Sequence, residues 1–326
     1  MIFTTAAKTA LVGFALAAGI GGAIAQGYPS KPIKIVVPAS PSTSLDALTR
    51  AVAQDLSPRL GQGVIVENLP GAGGNIASVN VAKAAPDGYT LLLQISSFVV
   101  NPSLYKNIPY DPIRQFQPVI LAAWSPPILV VNRSIEGVNS VKDLVALSKS
   151  RPGRLNYASP GYGTPQHLSM ELFKRMSGAD FTHVPFKSPP EMVTAVLAGD
   201  VTAMFASPTV AIAQSRAGKL KMMAVTSEQR WPQALDVPTM AEAGFPEFKL
   251  NIWFGFLAPA GIPGEIVRKL NSEFSTVLKI AAVKDLLAKQ GLEATTSTPE
   301  QFAAVIRTDL AYWAMAIKDT GISIDR

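Results

Sequence analysis

Ile33-Lys34-Ile35-Val36-Val37-Pro38-Ala39-Ser40-Pro41-Ser42-Thr43-Ser44-Leu45-Asp46 is the stretch whose reading decides the fold. Residues 33–37 are a short, nearly continuous apolar run, as expected of a strand covered on both faces in a parallel sheet. The Pro, Ala, Ser and Thr that follow are turn chemistry. Leu45, Leu48, Val52 and Leu56 then recur at helical spacing behind Ser44, the expected N-cap. Strand, small polar loop and amphipathic helix in succession make the repeating unit of an α/β protein.

The same unit recurs outward from there. Strands are expected at 64–66, 90–93, 128–131, 155–157, 202–205 and 221–225. Thr164-Pro165 predicts an N-cap followed by an N1 proline, with Leu168, Leu172 and Met176 on one stripe. Ser188-Pro189-Pro190-Glu191 predicts a capping box, and Gly199 a helix stop. Thr298-Pro299 opens another helix, and Leu270, Phe274, Val277 and Leu278 mark a long amphipathic one. With 326 residues, 48% of them hydrophobic, the chain is sized for two lobes of roughly 150 residues. Crossings near 124–127 and 250–254 divide it into a first domain of 26–126 plus 252–326 and a second of 127–251. Each lobe is expected to be a mostly parallel sheet flanked by helices.

Composition excludes several classes. The net charge of +6 is spread singly, without a run of like charges or basic–aromatic interleaving, so no nucleic-acid partner is expected. The chain has no cysteine, which removes disulfides, thiolate chemistry and Cys-ligated metals. Lys8, the apolar run 10–18 and Ala23-Ile24-Ala25 predict a signal peptide on residues 1–25, cleaved after Ala25. That run is too short for a membrane span, so the product is expected to be exported and soluble.

Ligands of open α/β sheets bind beyond the carboxyl ends of strands, where loops enter helices. Four loops there are small and polar: 38–44, 70–75, 94–97 and 159–164. The first and last place hydroxyls and backbone N–H groups at helix N-termini, which favour an anion without a formal positive charge. Taken singly, such serines are caps and such glycines are turns. The Gly-rich 71–75 stretch lacks nucleotide-binding spacing. With two histidines, His167 and His183, and no metal-ligand spacing, neither a metal nor a cofactor is expected. A hydrolase using Ser159 with His167 is the enzymatic alternative; it lacks the Gly-x-Ser-x-Gly elbow and an acidic partner. Of the aromatics, Tyr162 and Phe205 are the candidates for a ligand wall.

At these loops the chain resembles the Bug family, the periplasmic solute receptors of tripartite tricarboxylate transporters. The resemblance is carried by residues 28–38, Glu67-Asn68-Leu69-Pro70-Gly71-Ala72-Gly73-Gly74-Asn75, Ala85-Pro86-Asp87-Gly88-Tyr89-Thr90, Asn156-Tyr157-Ala158-Ser159-Pro160-Gly161, His183-Val184-Pro185-Phe186-Lys187, Val237-Pro238-Thr239 and Ala258-Pro259-Ala260-Gly261. It implies a periplasmic binding protein of type II-like, Venus-flytrap form that closes on a carboxylate by hinge motion and hands it to membrane subunits of a tripartite tricarboxylate-type transporter. It further implies water-mediated contact from loop 38–44 and a direct grip from 159–164. On this basis Ser159, Gly161 and Thr164 are expected to hold one carboxylate. Ser40, Ser42, Thr43 and Ser44 are expected to contribute from the opposite lobe, with Asn75, Ser97 and Ser207 in supporting places. The protein is expected to act as a monomer on a small organic acid; a ligand-presenting receptor for a sensor system is the second alternative. Two departures stand out. Serine and threonine replace the family's glycines in 40–44, and Thr202 stands where members often carry an acid, which predicts a carboxylate without an α-ammonium group, a di- or tricarboxylate or an aromatic acid.

Overall fold

The computed structural model describes residues 27–248 and 250–320; the expected signal peptide and its cleavage after Ala25 lie outside them. The chain builds β1 (Ile33–Val37), α1 (Ser44–Leu60), β2 (Val64–Asn68), a 3-10 turn (Ala72–Gly74), α2 (Asn75–Ala82), β3 (Thr90–Ile95), α3 (Ser97–Leu104) and β4 (Phe116–Ser125). It then crosses at Pro126-Pro127 into β5 (Ile128–Asn132), α4 (Val141–Ser150), β6 (Asn156–Ser159), α5 (Pro165–Ser177), β7 (Thr182–Pro185), α6 (Pro189–Ala198), β8 (Ala203–Ala206), α7 (Pro208–Arg216) and β9 (Leu220–Val225). It returns through β10 (Ile252–Pro259), α8 (Gly264–Leu278), α9 (Ala281–Lys289), β11 (Glu293–Ala294) and α10 (Pro299–Thr320).

Two sheets result, ordered β11-β4-β10-β3-β1-β2 and β7-β6-β8-β5-β9. The architecture is α/β and two-lobed, but the sheets are mixed, where mostly parallel ones were expected. β1 pairs in parallel with β2 and β3, and β6 with β7 and β8. β10 lies antiparallel between β3 and β4, and β5 antiparallel between β8 and β9. The reason is geometric. Strands β1, β3 and β6 run toward the cleft between the lobes, whereas β5 and β10 enter their sheets from the crossings at that same edge and must run away from it.

The helix signals hold with two corrections. The first is that the capping box expected at Ser188-Pro189-Pro190-Glu191 does not form: Ser188 stands at the N-cap of α6 without a side-chain bond, and Glu191 accepts the Lys187 N–H at 3.3 Å instead. Thr164 caps α5, accepting the N–H of His167, with Pro165 at N1. Thr298 and Gln301 form a reciprocal box at α10. At α1 the cap is Thr43 rather than Ser44, its hydroxyl accepting the Asp46 N–H. One apolar core fills the face of the first sheet beneath α1, α8 and α9. Another lies on the second sheet beneath α6 and α7. A third runs from α2, α3 and α10 of the first lobe into α4 and α5 of the second, because α10 packs on both α3 and α5. Among the described residues no helix is long and apolar enough to cross a membrane.

Candidate functional site

The loops at the carboxyl ends of β1, β3 and β6 face one another across a cavity of about 270 Å³. The first lobe lines it with Pro38, Ala39, Leu45, Gly71, Gly73, Gly74, Gln94, Ile95, Ser97, Asn101 and Tyr105, and the second with Tyr162, Gly163, Thr164 and Pro165. No Lys, Arg, His, Asp or Glu is in that wall. Instead, four helices begin at it: α1 through Leu45, α2 through its cap Gly74, α3 through Ser97, and α5 through Thr164 and Pro165. Each turns the positive end of its dipole toward the chamber, so the chamber suits an anion without charged side chains. A wider hollow of about 540 Å³ on the crossing side carries Glu228, Glu293 and Asp309, which repel an anion.

The first loop is held from below. Asp46 accepts the Ser42 N–H at 3.0 Å, the Asn68 amide at 3.0 Å and Arg50 Nε on both oxygens. Burial pushes its carboxyl up, but the bonds from Arg50, Ser42 and Asn68 outweigh that and hold it below the usual aspartate value. The Thr43 hydroxyl donates to the Ser40 carbonyl while capping α1. The loop therefore presents Pro38, Ala39 and Leu45 to the cavity; Ser40, Ser42, Thr43 and Ser44 do not line it. In place of the expected hydroxyls, this side offers backbone and apolar surface.

The glycine turn is braced by two side chains. Gln94 Nε2 donates to the Gly74 carbonyl at 3.1 Å and to Ser78 Oγ at 2.8 Å. Asn101 Nδ2 donates to the Gly73 carbonyl and to Asn75 Oδ1. Asn75, expected at the site, is buried one layer behind it, also accepting from Tyr110 at 3.3 Å. Ser97 does line the cavity.

In the second lobe the loop 159–164 curls over its own hydrogen bonds. Ser159 is fully buried; its Oγ lies 2.7 Å from His183 Nε2, donates to the Gly161 carbonyl and accepts the Gly161 N–H. The Gly161 carbonyl also accepts the Thr164 hydroxyl at 2.8 Å. Thr164 and the exposed Tyr162 thus reach the cavity while Ser159 and Gly161 support it from behind. Ser159 pairs with His183, and His167, its suggested partner, instead accepts the Gly163 N–H on Nδ1 at 3.2 Å. Phe205 is fully buried, stacked on Phe248, and Ser207 stands exposed at the N-terminus of α7 with its hydroxyl 3.1 Å from that of Thr209, so neither lines the chamber. Thr202 donates to Asn156 Oδ1 at the start of β6, the end of the sheet remote from the cleft, so its identity does not bear on the ligand.

Asn101 and Tyr105 escaped the sequence reading. Ser97 and Asn101 stand four residues apart on one face of α3, whose neighbours Phe98, Val99 and Val100 are core, and Tyr105 follows four residues on at its C-cap. That polar stripe was the available signal. Among the described residues no cluster of His, Cys, Asp and Glu could hold a metal ion.

Comparison with other proteins agrees with this geometry. Residues 48–322 match the model of the tripartite tricarboxylate transporter family receptor. Protein BugT of Bordetella pertussis is 36% identical over 319 residues, covering 97% of this chain and 98% of that one. The structure of Rpa4515 from R. palustris with adipate is 34% identical at a TM-score of 0.80, over 90% of this chain and 98% of the other. MatC of Rhodopseudomonas palustris with bound malate is 30% identical at 0.77, over 89% and 100%.

Proposed function

This chain belongs to the tripartite tricarboxylate transporter receptor family, whose members are periplasmic solute-binding proteins, and from that premise we propose that its cleft captures a small dicarboxylate lacking an α-ammonium group. The observation that carries this is the convergence of four helix N-termini on a chamber whose wall holds neither a cation nor a carboxylate. Each dipole is worth about 0.3–1 kcal/mol to an anion, up to about 2 when partly buried. Each hydrogen bond to a charged acceptor adds about 1.5–3 kcal/mol. Together, after ordering costs, these support micromolar binding, about −8 kcal/mol. An ammonium group entering the same chamber meets those positive dipole ends and finds no carboxylate in the wall. Two relatives with adipate and malate point to the same ligand class.

The lobes 26–126 with 252–326 and 127–251 close on the acid about the two crossings, as a monomer, and the closed form delivers it to membrane subunits of the transporter. Export proceeds by removal of residues 1–25. The protein acts without catalysis: the Ser159 hydroxyl is sealed from the cavity and serves as a support. A thermal-shift panel tests the assignment, since a ligand of the native state raises Tm. Adipate, malate or a similar acid should raise it, with glutamate and aspartate silent. Stabilisation by the amino acids alone overturns the reading.

A further inference from the structure

His167 and His183 lie behind the second-lobe loop with ring centroids 4.5 Å apart, and each is bonded to a different point of that loop. His167 Nδ1 accepts the Gly163 N–H, so its single proton sits on Nε2. His183 Nε2 meets Ser159 Oγ, whose own hydrogen is directed to the Gly161 carbonyl; the histidine is then the donor, and its proton too sits on Nε2. His183 Nδ1 is buried without a partner, which suits a bare lone pair better than an orphaned N–H. On both rings Nδ1 is therefore where a second proton would have to go. At His167 that proton would face the Gly163 N–H and break its bond. At His183 it would create a buried donor with no acceptor.

We propose that His167 and His183 are positioning residues for the ligand, which fix the Gly163–Thr164 rim of the cleft only while both are uncharged, so that protonating either one unlatches the rim and releases the ligand. This rests on the assignment of the cleft as the ligand site. The two connections are short. His167 holds Gly163 directly, and His183 acts through Ser159 and Gly161 on the Thr164 hydroxyl. Gly163 and Thr164 both line the cavity.

The surroundings give little shelter to a cation. Tyr157 of β6 stacks on His183 at 4.7 Å, and Tyr162 sets its edge against both rings. The charged neighbours are Glu171 and Lys174 of α5, which pair with each other at 2.8 Å, the Tyr157 hydroxyl adding a second bond to Glu171. Burial pushes His167 down to about 4, with Glu171 opposing and Lys174 assisting. Burial, and then the adjacent His167, lowers His183 to about 4.

The test begins without any ligand. Nitrogen-detected NMR of the imidazoles should show both as Nε2–H tautomers at pH 7.5, and the Gly163 and Thr164 amides should shift on acidification with the histidine midpoint. Amides that stay unmoved through that midpoint, or an Nδ1–H tautomer at His167, overturn the proposal. Two variants separate titration from structure. His167→Asn places an acceptor where Nδ1 stands, and His183→Gln places an amide where Nε2 stands; neither titrates. With adipate as the test acid, the ratio of wild-type to variant affinity cancels the acid's own protonation. From pH 7.5 to 3.5, about half a unit below both histidine midpoints, the wild type should lose at least tenfold more affinity than the double variant; equal losses overturn the proposal. Should adipate bind neither protein at pH 7.5, the proposed ligand class fails, and the amide titration still decides the histidine role.

Discussion

Gly74 sits at φ +93° directly beneath the cavity, and a Cβ there would lie 2.9 Å from Gln94 Nε2 and 3.3 Å from Pro38 Cβ. Left-handed backbone costs an L-residue roughly 1–2 kcal/mol, and the amide that braces the turn would have to move as well. Gly74→Ala is expected to weaken ligand binding about tenfold, ~1.4 kcal/mol, measured by calorimetry with the best acid of the panel. Single residues also set the pH response. Both histidines have native values near 4 against an ordinary 6.5. Between those pH values the unfolded chain binds protons that the native chain refuses, so stability falls as pH drops from about 6.5 to about 4 and the contribution levels off below. Asp46, held low, adds a loss in the same direction as it protonates. Melting temperatures across pH 7.5 to 4.5 should therefore fall more steeply in the wild type than in His167→Asn. The residue scale was only partly legible. A serine before a helix advertises a cap in any context, and whether it reaches the cavity, as Ser97 does, or is withdrawn behind it, as Ser159 is, depends on neighbours contributed by other elements.

At the scale of elements, the sequence located helices better than strand direction. Thr164-Pro165 and Thr298-Pro299 name their helices because capping is chemistry between residues three apart. The continuous apolar run of β10 says that both its faces are covered but carries no information on whether it lies parallel or antiparallel to β3. Gly255 in that strand shows how closely the layers fit: a Cβ there would come within 2.2 Å of the Phe302 ring on α10. Gly255→Ala is expected to destabilise the fold by about 1–3 kcal/mol through overpacking, visible as a lower denaturation midpoint with an unchanged slope. A neutral result would mean that α10 moves freely over the sheet.

For the whole molecule, the defining feature is a chamber that attracts an anion through helix ends alone. Dipoles that meet a ligand in a partly closed cleft are screened less than exposed charges. The dissociation constant should rise by less than about threefold between 50 and 500 mM NaCl, where a surface charge pair would lose more. A steeper dependence, measured by calorimetry, would reveal a charged side chain in the bound state. By itself, the sequence determined the α/β class, most helix starts, the loops at the strand ends and the resemblance to a carboxylate-receptor family. These follow from short-range periodicity, capping and motif order. Only the tertiary structure decided which loop residues meet, bringing Tyr162 and Thr164 across to Gly74, Ser97 and Asn101 while withdrawing Ser159 and Asn75 behind them. It also set two histidines sixteen positions apart side by side. Such juxtapositions arise where separate elements pack, and no local pattern along the chain encodes the distance between them.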